Sequence, residues 1–187
     1  NITINSGSTG DLIFNTDIQI GDRLYVGDSQ GVSVTFNGDL SGESVTFNSL
    51  AGSTMNLLGD NSFGGFSVSG TGTVVVNNDN SLGSGNYDFG LNGPTFRSTA
   101  PATFDGDIAL RTGFTMGAGS DDITFTGSLA NINTGLTITN ASAVGQLGLG
   151  DVSVSNQTGN KRTFTLNGGG DFEIGGTIGD SGTPDPG

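Results

Sequence analysis

Cysteine, histidine and tryptophan are absent from the 187 residues, and five basic residues face eighteen acidic ones. Each shortage closes a class of function. Without cysteine there is no disulfide framework and no thiol nucleophile. Without cysteine or histidine there is no zinc site of the usual kind, and without histidine no serine–histidine catalysis. A net charge of -13 repels phosphate backbones, so nucleic acid is not an expected partner. No apolar run approaches the roughly 18 residues of a membrane-spanning helix. Asn1 to Ser6 do not read as a signal peptide, so the chain is expected to be a mature product or a piece of something longer. Helix formers are scarce too. Lysine occurs once, alanine eight times and glutamate twice, against sixteen aspartates. Aspartate favours turns and glutamate favours helices, so this balance argues for an all-β chain.

What is abundant is glycine, at 35 residues, together with short alternating apolar pairs. Ile2/Ile4, Leu12/Phe14, Ile18/Ile20, Val32/Val34/Phe36, Val45/Phe47, Ile108/Leu110 and Ile123/Phe125 each have the period of two of a half-buried strand. Gly, Asn, Asp and Ser separate them and supply turns. A new strand starts about every seven residues, more often than the 8–12 typical of a sandwich. Leu, Ile, Val and Phe total 48, enough apolar surface for a core.

A longer unit recurs: a large apolar residue, a polar one, glycine, a small or acidic one, then another apolar. It reads Phe36-Asn37-Gly38-Asp39-Leu40, Phe104-Asp105-Gly106-Asp107-Ile108 and Phe125-Thr126-Gly127-Ser128-Leu129, with looser copies at Phe14, Leu58 and Leu166, the last carrying Gly168. The anchors fall about 22 residues apart, with Leu82 and Leu147 in the gaps. Three short strands per 22-residue period predict a right-handed parallel β-solenoid of eight or nine coils over 1–178, followed by a Gly/Pro-rich tail or linker, 179–187. A jelly roll or irregular sandwich has no reason to keep that period. The solenoid places Phe14, Phe36, Leu58, Phe104, Phe125 and Leu166 inside, in one stacked series. It places Gly38, Gly106, Gly127 and Gly168 at corners, where glycine tolerates positive φ.

The stretch from Met55 to Gly93 resembles the autotransporter-associated β-strand repeat of bacterial surface and secreted proteins. The residues that carry the likeness are Leu57-Leu58-Gly59-Asp60-Asn61-Ser62-Phe63-Gly64-Gly65, Val68, Gly70-Thr71-Gly72-Thr73-Val74 and Asn80-Ser81-Leu82-Gly83-Ser84-Gly85, with a partial second copy from Thr163 to Ile178. Phe66 stands where that family more often has Thr. The resemblance implies a passenger-type β-helix outside the cell, a stalk or surface fibre without enzymatic activity. It gives architecture and location, not chemistry.

Candidate chemistry is sparse. Met116-Gly117-Ala118-Gly119-Ser120-Asp121-Asp122-Ile123 resembles one calcium-binding nonapeptide, which needs tandem copies to surround the ion. Asp121 and Asp122 are therefore the calcium candidates, and a glycine-rich corner is the plainer reading. Asp105/Asp107 and Asp121/Asp122 invite comparison with the carboxylate pairs of polysaccharide-cleaving β-helices. As turn residues, they are expected in solvent. Arg97 and Arg111 could meet an acidic sugar, or screen neighbouring aspartates. Thr-x-Thr occurs at Thr71, Thr124, Thr137 and Thr163, at spacings that give no common rank. Sequons at Asn1, Asn140 and Asn156 carry no information in so Asn- and Ser/Thr-rich a chain. The expected partners are a second copy stacked end to end, or flanking solenoid of a longer parent chain, because strand-like residues run to both ends without a visible cap. A polysaccharide-binding or -cleaving β-helix, or an adhesin, is the competing function.

Overall fold

A computed structural model describes residues 1–5, 10–27, 31–49, 51–131, 135–154 and 163–180. The Asn156 sequon and positions 181–187 of the expected tail lie outside the described residues. Every strand pairing is parallel, and every paired strand lies one coil away in sequence. The predicted β-solenoid is therefore the fold, and no helix occurs among the described residues.

Three faces build the coil. Face 1 is a ladder of nine strands: Ile2–Asn5, Ile18–Gly27, Leu40–Ser49, Gly65–Gly70, Asn86–Phe89, Ile108–Leu110, Leu129–Asn131, Val152–Val154 and Ile178–Asp180. Ser62–Phe63 pairs beside this path. Face 2 has eight strands, from Leu12–Phe14 to Phe164–Gly168. Face 3 has four, Ala102–Phe104, Ile123–Phe125, Leu147–Leu149 and Phe172–Ile174. In the first coils the third side is not a separate sheet. Ile18–Ile20 and Leu40–Gly42 occupy it, and a bulge between Ile20 and Arg23 carries the same strand round onto face 1.

The coil-to-coil step is shorter than the sequence suggested. On face 1 the inward column runs Ile2, Leu24, Val45, Phe66, Tyr87, Ile108, Leu129, Val152, Ile178. Each step from Leu24 to Leu129 is 21 residues; the last two are 23 and 26. The longer late coils leave about seven turns in place of the expected eight or nine. The ladder also takes in 179 and 180, which the sequence reading assigned to the tail.

The core is a continuous apolar column. Phe89, Phe96, Phe104, Phe114 and Phe125 pack together at its middle, with Phe89 and Phe96 centroids 4.7 Å apart and Phe104 and Phe125 5.6 Å apart. Phe14 stacks on Phe36 at 5.1 Å, nearly coplanar.

The anchors, however, form two series. Phe14, Phe36 and Leu57 share a register column on face 2. Phe104, Phe125 and Leu149 share one on face 3. The recurrent five-residue unit is a three-residue corner used at two different corners. Leu57 takes the interior position expected of Leu58, which is only half-buried, because the period-two alternation of Thr54–Leu57 points 55 and 57 inward. Phe14 is half-buried in the first coil. Leu166 is 37% exposed although it pairs with the fully buried Ile138, since no described coil lies beyond it.

The reason for the corner glycines also differs. Gly38, Gly106 and Gly127 do not have positive φ. A Cβ at Gly38 would overlap the Thr16–Asp17 backbone, at Gly106 the Gly85 carbonyl and the Tyr87 ring, and at Gly127 the Gly106 carbonyl. Close stacking of coils, not turn conformation, selects glycine there. Gly168 does have φ 110, but it ends a face 2 strand opposite Asn140.

Candidate functional site

The polar side chains are organised by the coil stack. Seven aspartates use Oδ1 to accept a backbone N–H from the next coil: Asp11 from Ser33 (3.1 Å), Asp17 from Asp39 (2.9 Å), Asp39 from Asp60 (2.7 Å), Asp79 from Thr103 (2.7 Å), Asp107 from Ser128 (2.9 Å), Asp122 from Gln146 (2.7 Å) and Asp151 from Thr177 (2.7 Å). At corners the chain leaves the ladder, and these amides would otherwise lack a protein partner. A carboxylate one methylene from the backbone spans the strand spacing of about 4.8 Å. Thr177 also donates its hydroxyl to Asp151 Oδ1 at 2.9 Å. Those two bonds, backbone first, hold the Asp151 carboxyl below the usual range.

Two buried asparagines do the same inside the stack. Asn61 Oδ1 accepts from Leu40 N (2.8 Å), while its Nδ2 donates to Ser81 O (2.8 Å), so one side chain joins three successive coils. Asn140 Nδ2 donates to Gly145 O and Asp171 O. Asn140 is fully buried, which explains why its sequon is a packing site. Ser98, Ser120 and Ser142 form a buried hydroxyl column. The sequence reading missed all of these. The available signal was a polar residue at an inward-facing alternation position.

The predicted site residues are dispersed. Asp105 and Asp107 lie exposed on either side of Gly106, and Asp107 is engaged with Ser128. Asp121 is half-buried and donates its backbone N–H to Ser98 O (3.0 Å); Asp122 is exposed and caps Gln146. Among the described residues no three carboxylates converge as they would on a cation. Arg111 reaches Asp88 through two nitrogens, at 3.2 and 3.3 Å, on the outside of face 1. Arg97 lies exposed on face 2, its stem beneath Gly117. Threonines do share a rank: Thr54, Thr73, Thr95, Thr115 and Thr139 pair in direct register on face 2. The neighbouring outward row mixes Thr35, Asn56, Val75 and Arg97. Only Thr73 and Thr139 of the Thr-x-Thr pairs belong to the rank, so sequence spacing concealed it.

Comparison with protein-family models, with curated proteins and with solved structures returned no match. The fold agrees with the architecture implied by the Met55–Gly93 resemblance. Asn61, within that stretch, is the residue that ties three coils.

Two open troughs mark the surface. One, of about 460 Å³, runs along face 1 over Ser44, Thr46, Gly65 and Ser67, between Arg23 and Asp88. The other, of about 440 Å³, lies on face 3, where Gly148 has no side chain between Thr124 and Glu173. Asp151 borders it but is committed to Thr177. The buried phenol of Tyr87 is pushed up to about 12 by desolvation, against help from the Gly106 backbone and with a further push from Asp105. It points into the stack and not into either trough.

Proposed function

We propose that the chain is a non-enzymatic structural element, a rod segment of an extracellular bacterial protein of the autotransporter-passenger kind. One observation carries this reading: the aspartate, asparagine and serine side chains that could do chemistry are spent on joining coils. The resemblance over Met55–Gly93 supports the location. The charge of -13 supports a solvated surface with no nucleic-acid partner. The ends of such a rod pair with further solenoid, from a flanking part of a longer chain or from another copy. The face 1 trough, lined by hydroxyl and amide groups, favours glycan binding as the second reading.

The test is twofold. Surface labelling of unpermeabilised source cells, with an antibody to this chain, should be positive. The purified chain should release no reducing ends from neutral or acidic polysaccharides. Release that Asp105→Asn or Asp121→Asn abolishes would replace the structural reading with an enzymatic one.

A further inference from the structure

The three faces do not end level. Face 1 has nine strands on its path and face 2 has eight, so a face 1 strand stands proud at both ends of the stack: Ile2–Asn5 at one, Ile178–Asp180 at the other. Two intact copies set head to tail would meet only there, and faces 2 and 3 would each be left one strand short. The mismatch disappears if Ile2–Asn5 leaves its place. Leu12–Phe14 would then continue face 2 above Phe164–Gly168 of the other copy. Ile18–Ile20 would continue the third side above Phe172–Ile174.

We propose that this solenoid assembles with a second copy of itself by strand exchange, Ile178–Asp180 of one copy replacing Ile2–Asn5 of the next. The proposal rests on the rod reading above. The vacated site fits the incoming strand: Ile2 pairs with Leu24 and Thr3 with Tyr25, so Ile178 takes the position of Ile2 and Gly179 that of Thr3. Exchange breaks pairing on one face and makes it on three, whereas plain stacking makes it on one. It also covers apolar rims that the two ends expose, with Ile178 at 57% and Ile2 at 39%. The last coil adds an acceptor. Asp171 is the register successor of Asp122 and Gln146, in the corner column where Asp122 takes the N–H of the next coil, and Asp17 holds the equivalent place in the first coil. A contact between unlike ends does not close and propagates along the axis. Its acidic ends make it salt-promoted.

The chain has no cysteine, so introduced thiols report the register alone. Neighbouring strands about 4.8 Å apart fall within disulfide reach. Under oxidising conditions at high salt, Tyr25→Cys/Gly179→Cys is expected to give a ladder of cross-linked oligomers. Thr3→Cys/Gly179→Cys is expected to give few. In sedimentation of otherwise unchanged full-length chain, Ile4→Asp loosens the first strand and should raise the assembled fraction several-fold. Ile178→Asp should return it to monomer. Cross-linking through Thr3→Cys in place of Tyr25→Cys, or reduced assembly with Ile4→Asp, overturns exchange. So does a monomer under all conditions up to millimolar protein. A monomer that small-angle scattering still shows as a rod would leave the structural reading standing while exchange falls.

Discussion

Aspartate outnumbers glutamate because the corner geometry uses a short acceptor. Asp17, Asp39 and Asp60 stand above one another, each of the first two binding the amide of the next. Asp60 in turn accepts from Asn80 Nδ2 at 2.6 Å. The arrangement satisfies amides but sets like charges about 5 Å apart. Asp39→Asn keeps the acceptor and removes the central charge. It should raise the melting temperature at neutral pH and low salt, by an amount that shrinks as salt is added. Asp39→Ala loses the acceptor and should lower it. A thermal series at two ionic strengths checks both, and a drop with Asn equal to that with Ala would show that charge, not the acceptor, matters at this corner.

A coil is a set of three short strands whose corners must lie flat on the corners below. Asn61 substitutes for a ladder bond at one of them, with both of its amide atoms used in the dry interior. Asn61→Ala leaves the Leu40 N–H and the Ser81 carbonyl without that partner, and should cost about 2–4 kcal/mol in denaturant unfolding. Asn61→Asp keeps only the acceptor and should fall in between. The fold was legible because period-two pairs, frequent turn residues and a period near 22 all point to one architecture. The series of anchors was not, because a three-residue corner has the same sequence whichever two faces it joins. Phe36 and Phe104 look equivalent in sequence but precede different corners. Leu58 and Leu57 are equally apolar, and only the strand register selects Leu57. The asparagine and serine bridges were hidden for a related reason. Turn residues and inter-coil bridges are drawn from the same short polar side chains, and only the partner a coil away distinguishes them.

Across the whole molecule, stability is a chain of nearest-neighbour contacts, greatest at the central aromatic cluster and least at the ends. The last coil hangs partly on Asp151. Its carboxyl titrates below the unfolded value because the charged form accepts from Thr177. That contribution is fully present above the ordinary carboxylate range near 3.9, and is lost as pH falls through the lower folded value. Acid should therefore loosen Phe172–Asp180 before the centre of the rod. Following the Thr177 amide by nuclear magnetic resonance should give a midpoint below the ordinary value, and Asp151→Asn should erase the transition. A centre that loosens first would contradict it.

The constant step of 21 residues between Leu24 and Leu129 has a consequence for how such a gene changes length. Unequal recombination that copies or drops twenty-one codons anywhere in that span keeps the reading frame and returns every side chain to its own face. Each event inserts or removes one tread of the stack, and the corners on either side meet the same neighbours as before. Rod length can thus drift between related strains while the cross-section is conserved, whereas a gain or loss of any other size throws the register out and is purged.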